Sequence, residues 1–460
     1  MKKRKIKRKK KRLKTLALAV LIIVLIVLAI LYFFLSISKT DNQKPNMNKN
    51  DEKVVEKITK LDTNNLLDHE FLNWIQSSYG EKKLTKILKS FEKNTYKEQI
   101  WHDIYQNSLK VLLDKYHNNE SENIKQINTK ENKVTLSFIG DVSLADNWYI
   151  MPEYDKRKKG INGILSEEVV NNLKSSDITV ANNEFTVSNR GEKMPGKYYT
   201  FRASPKRLSI YKEMGVDLVT LANNHVYDFG TLAFYDMLES LKEYQIPYIG
   251  AGENVDEATK PYYFIANGYK IAFLNATRAE KLILTPEATS SEGGVFRCYN
   301  PTRLIEEIKK AKSASDFVIT LVHWGKEDST ELEKVQIDTA KQYIESGTDL
   351  IVGTHAHTLQ GIDFYKEKAI IYNLGDFIFN NETKDTMIFQ LTIDNQGEFQ
   401  YKIIPCKQQD EYTYTLQDTE KARVIKKISN LSPSVQINDD GTLTKKNTGS
   451  LSSSVGGTKN

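Results

Sequence analysis

Four histidines, His225, His323, His355 and His357, each follow a short apolar run, in TLANNH, ITLVHWG and LIVGTHAH. Two carboxylates, Asp141 in SFIGD and Glu184 in TVANNE, stand in the same relation to apolar runs of their own. Strand ends in an open α/β sheet meet along one edge, where ligands bind, so these runs would aim six metal-competent side chains at one place. A lone histidine after a strand is ordinarily hydrogen-bonded structure; a set of this size is a donor set. Imidazole, carboxylate and amide oxygen together suit Mn²⁺, Zn²⁺ or Fe, as one or two divalent ions, whereas an all-oxygen set would suit Mg²⁺ or Ca²⁺. His355 and His357 are two apart: on an extended strand both face one side, while a turn splays them onto two metals. Asn223 and Asn224 precede His225 and either cap the following helix or, in the case of Asn224, supply a neutral oxygen ligand while His225 reaches past the metal to substrate.

The elements that must position these groups are legible as short apolar runs alternating with helical stretches. Strands are expected at Val134–Ile139, Ile178–Ala181, Val216–Ala222, Phe317–Val322, Leu350–Val352 and Ala369–Tyr372. Helices are expected at Ser204–Met214, Thr231–Tyr244, Pro301–Ser313 and Glu331–Ser346. Asn267-Gly268 between two β-rich runs signals a hairpin, and Thr386–Cys406 reads as another, turning near Asn395–Gly397. These elements form an α/β domain with antiparallel additions over 134–430. Before it, 58–130 reads as a small helical module: Leu84, Ile87, Leu88 and Phe91 recur at helical spacing, and Trp101, Ile104 and Tyr105 begin a second stripe. Its histidines, His69, His102 and His117, have no partner at ligand spacing and read as ordinary structural or surface groups. The polar stretch 36–57 is a tether, and the Ser/Gly/Thr-rich 441–460 a disordered tail.

With 460 residues, 40% of them hydrophobic and 27% charged, the chain can bury a full core, which excludes a wholly disordered or collagen-like protein. The net charge of +6 is carried by the N-terminus: 11 of the 65 Lys and Arg residues lie between Lys2 and Lys14, leaving 54 basic against 59 acidic, about −5, for the rest. Such a mildly acidic body argues against a nucleic-acid partner. Leu16–Leu35 is free of charge and proline, long enough as a helix to cross the ~30 Å hydrocarbon core. A cleaved secretory signal ending near Ser36 and Ser38 is the competing reading, but such signals carry only about 7–15 apolar residues. The basic run 1–15 then stays in the cytoplasm and all that follows the span faces outside, a single-pass protein of the cell membrane. ATP is scarce there, which excludes a nucleotide-driven ligase. Two cysteines, Cys298 and Cys406, are too few for a disulfide scaffold or a Cys-based zinc site; their spacing leaves open whether they pair.

SFIGDVSLA, NNEFTVSNRG, VDLVTLANNHVYDFG, LVHWGKE, GTHAHTLQG and YNLGDFIF, in that order, resemble the signature blocks of the CapA family of poly-γ-glutamate capsule biosynthesis proteins, over about 134–430. That family is similar to calcineurin-like metallophosphatases, which implies a two-sheet α/β/β/α sandwich with a metal site at the strand ends. By resemblance, Asp141 is a ligand of a first metal, Glu184 the bridging carboxylate, and Asn224, His323 and His355 ligands of a second, with His357 returning to the first. His225 falls on the general acid that protonates a leaving group. The sequence departs from that pattern in three places. Metallophosphatases usually begin Asp-x-His, but Val142 and Ser143 follow Asp141; Glu184 stands where Asp is usual; and Asp376 stands where many CapA relatives have Asn, a position that with Asn223 would hydrogen-bond to the ligands.

The implied chemistry is metal-assisted attack of water on an ester or phosphoester with His225 as proton donor, Lys197, Arg202 and Arg278 being the cations that could hold an anionic substrate. The alternative is a non-catalytic assembly or polymer-binding subunit of a capsule polymer synthase. An anionic polymer would meet repulsion from the acidic body unless a local positive groove or metal ions bridge the charges.

Overall fold

The computed structural model describes residues 69–97, 99–105, 123–280 and 284–446, together with Ile58, Leu67, Leu109, Leu112, Leu113 and Tyr116. The basic run, the Leu16–Leu35 segment, the tether, His117 and residues 447–460 lie outside them. Among the described residues no helix is long and apolar enough to cross a membrane. Those from Leu67 onward belong to one compact unit, Leu66–Asn460.

Two sheets form the centre. The seven-stranded sheet runs, in spatial order, Asn123–Ile127, Tyr262–Ala266, Tyr269–Thr277, Phe317–Trp324, Leu350–His355, Lys368–Ile371 and Ile362–Tyr365. The ten-stranded sheet is built on Val134–Val142, Ile178–Asn183, Leu218–Thr220 and Tyr248–Ile249 in parallel, continued antiparallel on the other side by Lys384–Ile393 and Phe399–Gln409.

Alternate residues of each strand go to opposite faces, and the two parities enter different layers. Leu136, Phe138 and Val180 meet Ile271, Phe273, Ile319 and Leu350 in one buried cluster between the sheets. Ile139, Ala181 and Val219 pack instead with Leu173, Met214, Phe234 and Leu241, from the helices Glu167–Ser175, Ser209–Met214 and Gly230–Glu243. On the other outer face Val318, Val322 and Ile351 pack with Leu304, Ile308, Tyr343 and Ile344 of Thr302–Ala314 and Lys334–Glu345. Helix, sheet, sheet, helix is the α/β/β/α layering expected. Each buried Leu, Ile or Phe is worth roughly 1.5–3 kcal/mol, so the double-sheet centre is a rigid base for its strand ends.

Both expected hairpins form. Asn267 and Gly268, with φ of 49° and 72°, turn Tyr262–Ala266 into Tyr269–Thr277, and Gly397 lies in the turn between Lys384–Ile393 and Phe399–Gln409. Three boundaries are corrected. The segment 123–127, expected within the helical module, is a strand that pairs parallel to Tyr262–Ala266; its sequence NIKQI alternates too weakly to announce an edge strand. The α/β domain runs past 430, and Thr442–Lys445, expected in the disordered tail, pairs with Phe399–Gln409 and with Val435–Ile437. Ser204–Met214 divides into a 3₁₀ turn, Pro205–Leu208, and a short α-helix from Ser209. Cys298 and Cys406 are both buried and free, and burial pushes the Cys298 thiol up to about 12.

Two glycines open a passage for the segment after Lys368–Ile371. A Cβ on Gly140 would lie 1.8 Å from the Gly375 carbonyl oxygen, and one on Gly353 would lie 1.9 Å from that of Tyr372. The chain can therefore run from Tyr372 to Gly375 against both sheets, and it delivers Asp376 beside Asp141. Because the obstructing atoms are backbone, Gly353→Ala is expected to destabilise the protein by at least about 1–3 kcal/mol, as overpacking does. Gly163→Ala, whose nearest neighbour would be the Arg157 Cβ at 3.4 Å, is expected to cost far less. Thermal melting of the two variants beside wild type checks the contrast.

Candidate metal centre

Parallel pairing brings the strand ends of both sheets to one edge. Asp141 is in register with Asn182 on one side and Asp376 on the other; in the second sheet His323 is in register with Thr277 and Thr354. The chain then leaves the Leu350 strand through two non-glycine residues at positive φ, His355 at 98° and His357 at 52°. That settles the open choice between strand and turn in favour of a turn, and each such residue costs of order 1–3 kcal/mol.

The turn sends the two histidines to different partners. One donor atom each from Glu184, His323 and His355 lie within 4.8 Å of one another, and so do those of Asp141, His357 and Asp376. His323 Nε2 is 2.9 Å from Asn224 Oδ1 and its Nδ1 is 2.9 Å from Thr354 Oγ1. His357 Nδ1 lies 2.7 Å from Asp376 Oδ1 and 3.4 Å from Asp141 Oδ2, while its Nε2 and His323 Nε2 both stand 3.8 Å from Glu184 Oε1. The structure thus gathers Asp141, Glu184, Asn224, His323, His355 and His357 at one place. Asp376 joins them, and Asn223 lies beside them, its amide donating to Asn182 Oδ1 and the Asn183 carbonyl.

Burial sets the electrostatics. It pushes the Glu184 carboxyl well above the usual carboxylate range, and the adjacent Asp141 charge adds to the rise. Burial would raise Asp141 too, but hydrogen bonding and charge from His357 hold it below its ordinary value. Burial and the neighbouring His355 keep His323 well below the usual imidazole value, and His355 is pushed down to about 3. His357 goes the other way: against the desolvation that would lower it, Asp376 and Asp141 hold it well above. A divalent cation needs neutral imidazoles and ionised carboxylates; His323, His355 and Asp141 are held toward those forms, whereas Glu184 and His357 would each release a proton to a bound cation. Glu184 Oε1 and His355 Nδ1 are also buried without a hydrogen-bond partner among the described residues, a state costing about 1–3 kcal/mol per group that a cation would relieve. The donors present therefore fit a divalent metal.

His225 sits beside this group, its ring 4.5 Å from Phe201. His225 Nδ1 is 2.8 Å from Asp228 Oδ2, which turns Nε2 away from the carboxylate. The expected substrate cations are placed differently from that expectation. Lys197 is buried, its ammonium paired with Asp228 at 2.9 Å and Glu280 at 3.2 Å and donating to the Asn224 carbonyl; it braces the site from behind. Arg202 donates to the carbonyls of Arg190 and Gly191 and covers the Phe229 ring. Arg278 lies against Tyr299, yet its backbone N–H donates to the His323 carbonyl, so it is the one of the three anchored directly to a histidine of the cluster.

Sequence reasoning missed four contributors. Asn182 donates to Asp141 Oδ1 at 2.8 Å and Glu184 Oε2 at 2.9 Å, one amide nitrogen holding two carboxylates; as a neutral neighbour of Glu184 it carried no charge signal. Asp228 stands three residues after His225, a spacing that could have suggested the pair. Thr354 is invisible without the register. Glu327, exposed, brings a carboxylate within reach of His355 and His357, which nothing local foretells.

Because the folded protein holds Glu184 above the ordinary glutamate value near 4.5, the unfolded chain releases that proton first, and the residue costs stability as pH rises past that value. In chelator, Glu184→Gln is therefore expected to melt at the same temperature as wild type near pH 4 and above it at pH 7 to 8. The rise in melting temperature that Mn²⁺ or Zn²⁺ gives wild type is expected to shrink in the variant. Melting curves across pH, with and without cation, check both signs.

The family described as bacterial capsule synthesis protein PGA_cap matches residues 135–381, a stretch that holds every residue of the cluster. The capsule biosynthesis protein CapA of Bacillus anthracis is 29% identical over 305 residues, covering 63% of this chain and 71% of that one. The PGA biosynthesis protein CapA of Bacillus subtilis (strain 168) is 27% identical over 277 residues, 59% of this chain and 71% of its own. Among solved structures, the 5′-nucleotidase from Candida albicans SC5314 aligns with 12% identity and a TM-score of 0.33, covering 60% of this chain and 52% of that one, a likeness too slight to carry weight. With more than half of its length matched by that family, the chain belongs to the bacterial capsule synthesis proteins of the PGA_cap, or CapA, type.

Proposed function

We propose that this CapA-type protein is a membrane-anchored, outward-facing, metal-dependent hydrolase of capsule poly-γ-glutamate production, acting on an ester or phosphoester. The observation that carries the hydrolytic part is the His225–Asp228 pair standing beside two groups of buried metal-competent donors. One or two divalent ions, held by Asp141 and His357 and by Glu184, Asn224, His323 and His355, would supply a Lewis acid able to lower the pKa of water from 15.7 toward about 7.

The chain's own residues do the rest. Asp228 Oδ2 accepts from His225 and from the Phe201 backbone N–H at 2.8 Å, while Oδ1 pairs with Lys197. The carboxylate therefore cannot swing, and it fixes the imidazole with Nδ1 inward. Held in this way, His225 is oriented with Nε2 free to serve the departing oxygen as proton donor. Phe201 and Phe379, edge to face at 5.4 Å, lie against His225 and His357 respectively and put apolar rings beside both histidines.

The anchor rests on Leu16–Leu35 and the basic run before it. Capsule polymer synthase subunits and the anionic polymer are the partners that fit the family. A body of about −5 repels a polyanion, so the polymer's carboxylates would be met through bound cations.

Purified full-length chain loaded with Mn²⁺ or Zn²⁺ is expected to turn over generic phosphomonoesters or phosphodiesters. His225→Ala is expected to lower kcat by about 10²- to 10⁴-fold with metal content unchanged. Retained metal with no turnover of any ester tested would replace the hydrolase by the assembly-factor reading.

A further inference from the structure

We infer that Asp376 completes an oxygen-rich cation position with Asp141 and His357, separate from the imidazole-rich position of Glu184, His323 and His355, so that the centre takes two unlike divalent cations. The inference rests on the metal-binding part of the proposed function and is independent of turnover.

Asp141 is followed by Val142 and Ser143, so its own strand offers no nitrogen ligand two residues on, and the Ser143 hydroxyl is buried without a partner among the described residues. The missing donor can come from the neighbouring strand. Asp376 is paired in register with Asp141 and is wholly buried. It is held there by a passage that a Cβ on Gly140 or Gly353 would fill. Its Oδ2 is engaged by the Asn380 amide at 3.2 Å and approached by Lys384 at 3.7 Å. That leaves Oδ1 as the atom directed at His357, whose Nδ1 also lies 3.4 Å from Asp141 Oδ2. A histidine–oxygen hydrogen bond likewise joins two donors of the other group, His323 Nε2 and Asn224 Oδ1 at 2.9 Å.

The two groups share no residue, although Glu327 reaches both His355 and His357 and Glu184 Oε1 also stands 3.8 Å from His357 Nε2, and they differ in chemistry. Two carboxylates and one imidazole favour a harder cation such as Mn²⁺ or Mg²⁺. One carboxylate, two imidazoles and an amide oxygen favour Zn²⁺ or Fe²⁺.

The test strips purified full-length protein with chelator, titrates it with MnCl₂ and ZnCl₂ separately and together, and counts metal per chain, following Mn²⁺ by its electron paramagnetic resonance signal. Wild type is expected to retain one Zn²⁺ tightly and one Mn²⁺ beside it. D376N keeps an oxygen that can accept the His357 N–H, so a mere orienting role would cost no more than the about 10- to 100-fold typical of such partners. Loss of a ligand is expected to weaken Mn²⁺ by more than about 100-fold with the single Zn²⁺ intact. D376H, which exchanges carboxylate for imidazole, is expected to take a second Zn²⁺ in place of Mn²⁺. The inference is overturned if wild type holds only one ion, if D376N binds Mn²⁺ as wild type does, or if D376N loses both ions together. Two unlike ions without turnover would remove the hydrolase and leave this inference standing; turnover with one ion would do the reverse.

Discussion

Three carboxylates, Asp141, Glu184 and Asp376, are crowded at the strand ends with no exposure to solvent, and like charges resist one another where there is little water to screen them. One Asn182 amide nitrogen spans two of them, and His357 lies between Asp141 and Asp376. The opposite displacements of Asp141 and Glu184 from their ordinary values follow from unequal surroundings: burial pushes both up, the Asp141 charge adds to the rise at Glu184, and His357 holds Asp141 down. Much of the architecture can be understood as what keeps those groups from moving apart.

That restraint begins in the core. Parallel strands buried on both faces place Asp141, Asn182, His323 and Thr354 in fixed register, and the apolar cluster between the sheets ties the two halves of the site together. Strain is concentrated where the chain leaves the core, at His355 and His357 with their positive φ. Residues more than a strand away tighten the arrangement: Lys197 neutralises Asp228 from behind, and Asp228 in turn holds His225. A buried lysine here serves geometry, since its charge is already satisfied by two carboxylates.

The central strands were legible because parallel strands covered on both sides must be largely apolar, as FVITLVHW is apart from Thr320 and His323. Edge strands escaped notice for the complementary reason. NIKQI and TLTK are half solvated, so polar residues suit them and no apolar run marks them. At the site, charge and imidazole stood out, whereas Asn182 and Thr354, which act through hydrogen bonds, did not. Lys197 and Arg202 looked available for an anion because composition cannot tell a paired cation from a free one.

The amino-acid sequence by itself determined the donor types, their order along the chain, and their position at the ends of strands, since periodicity and residue chemistry are local properties. Only the tertiary structure decided which donors come together: His355 with Glu184 and His323, His357 with Asp141 and Asp376, and both histidines with Glu327. Those groupings depend on strand register across two sheets, on the turn between the two histidines, and on the close backbone approach that Gly140 and Gly353 permit. All three are set by packing between segments far apart in the chain, which no local pattern encodes.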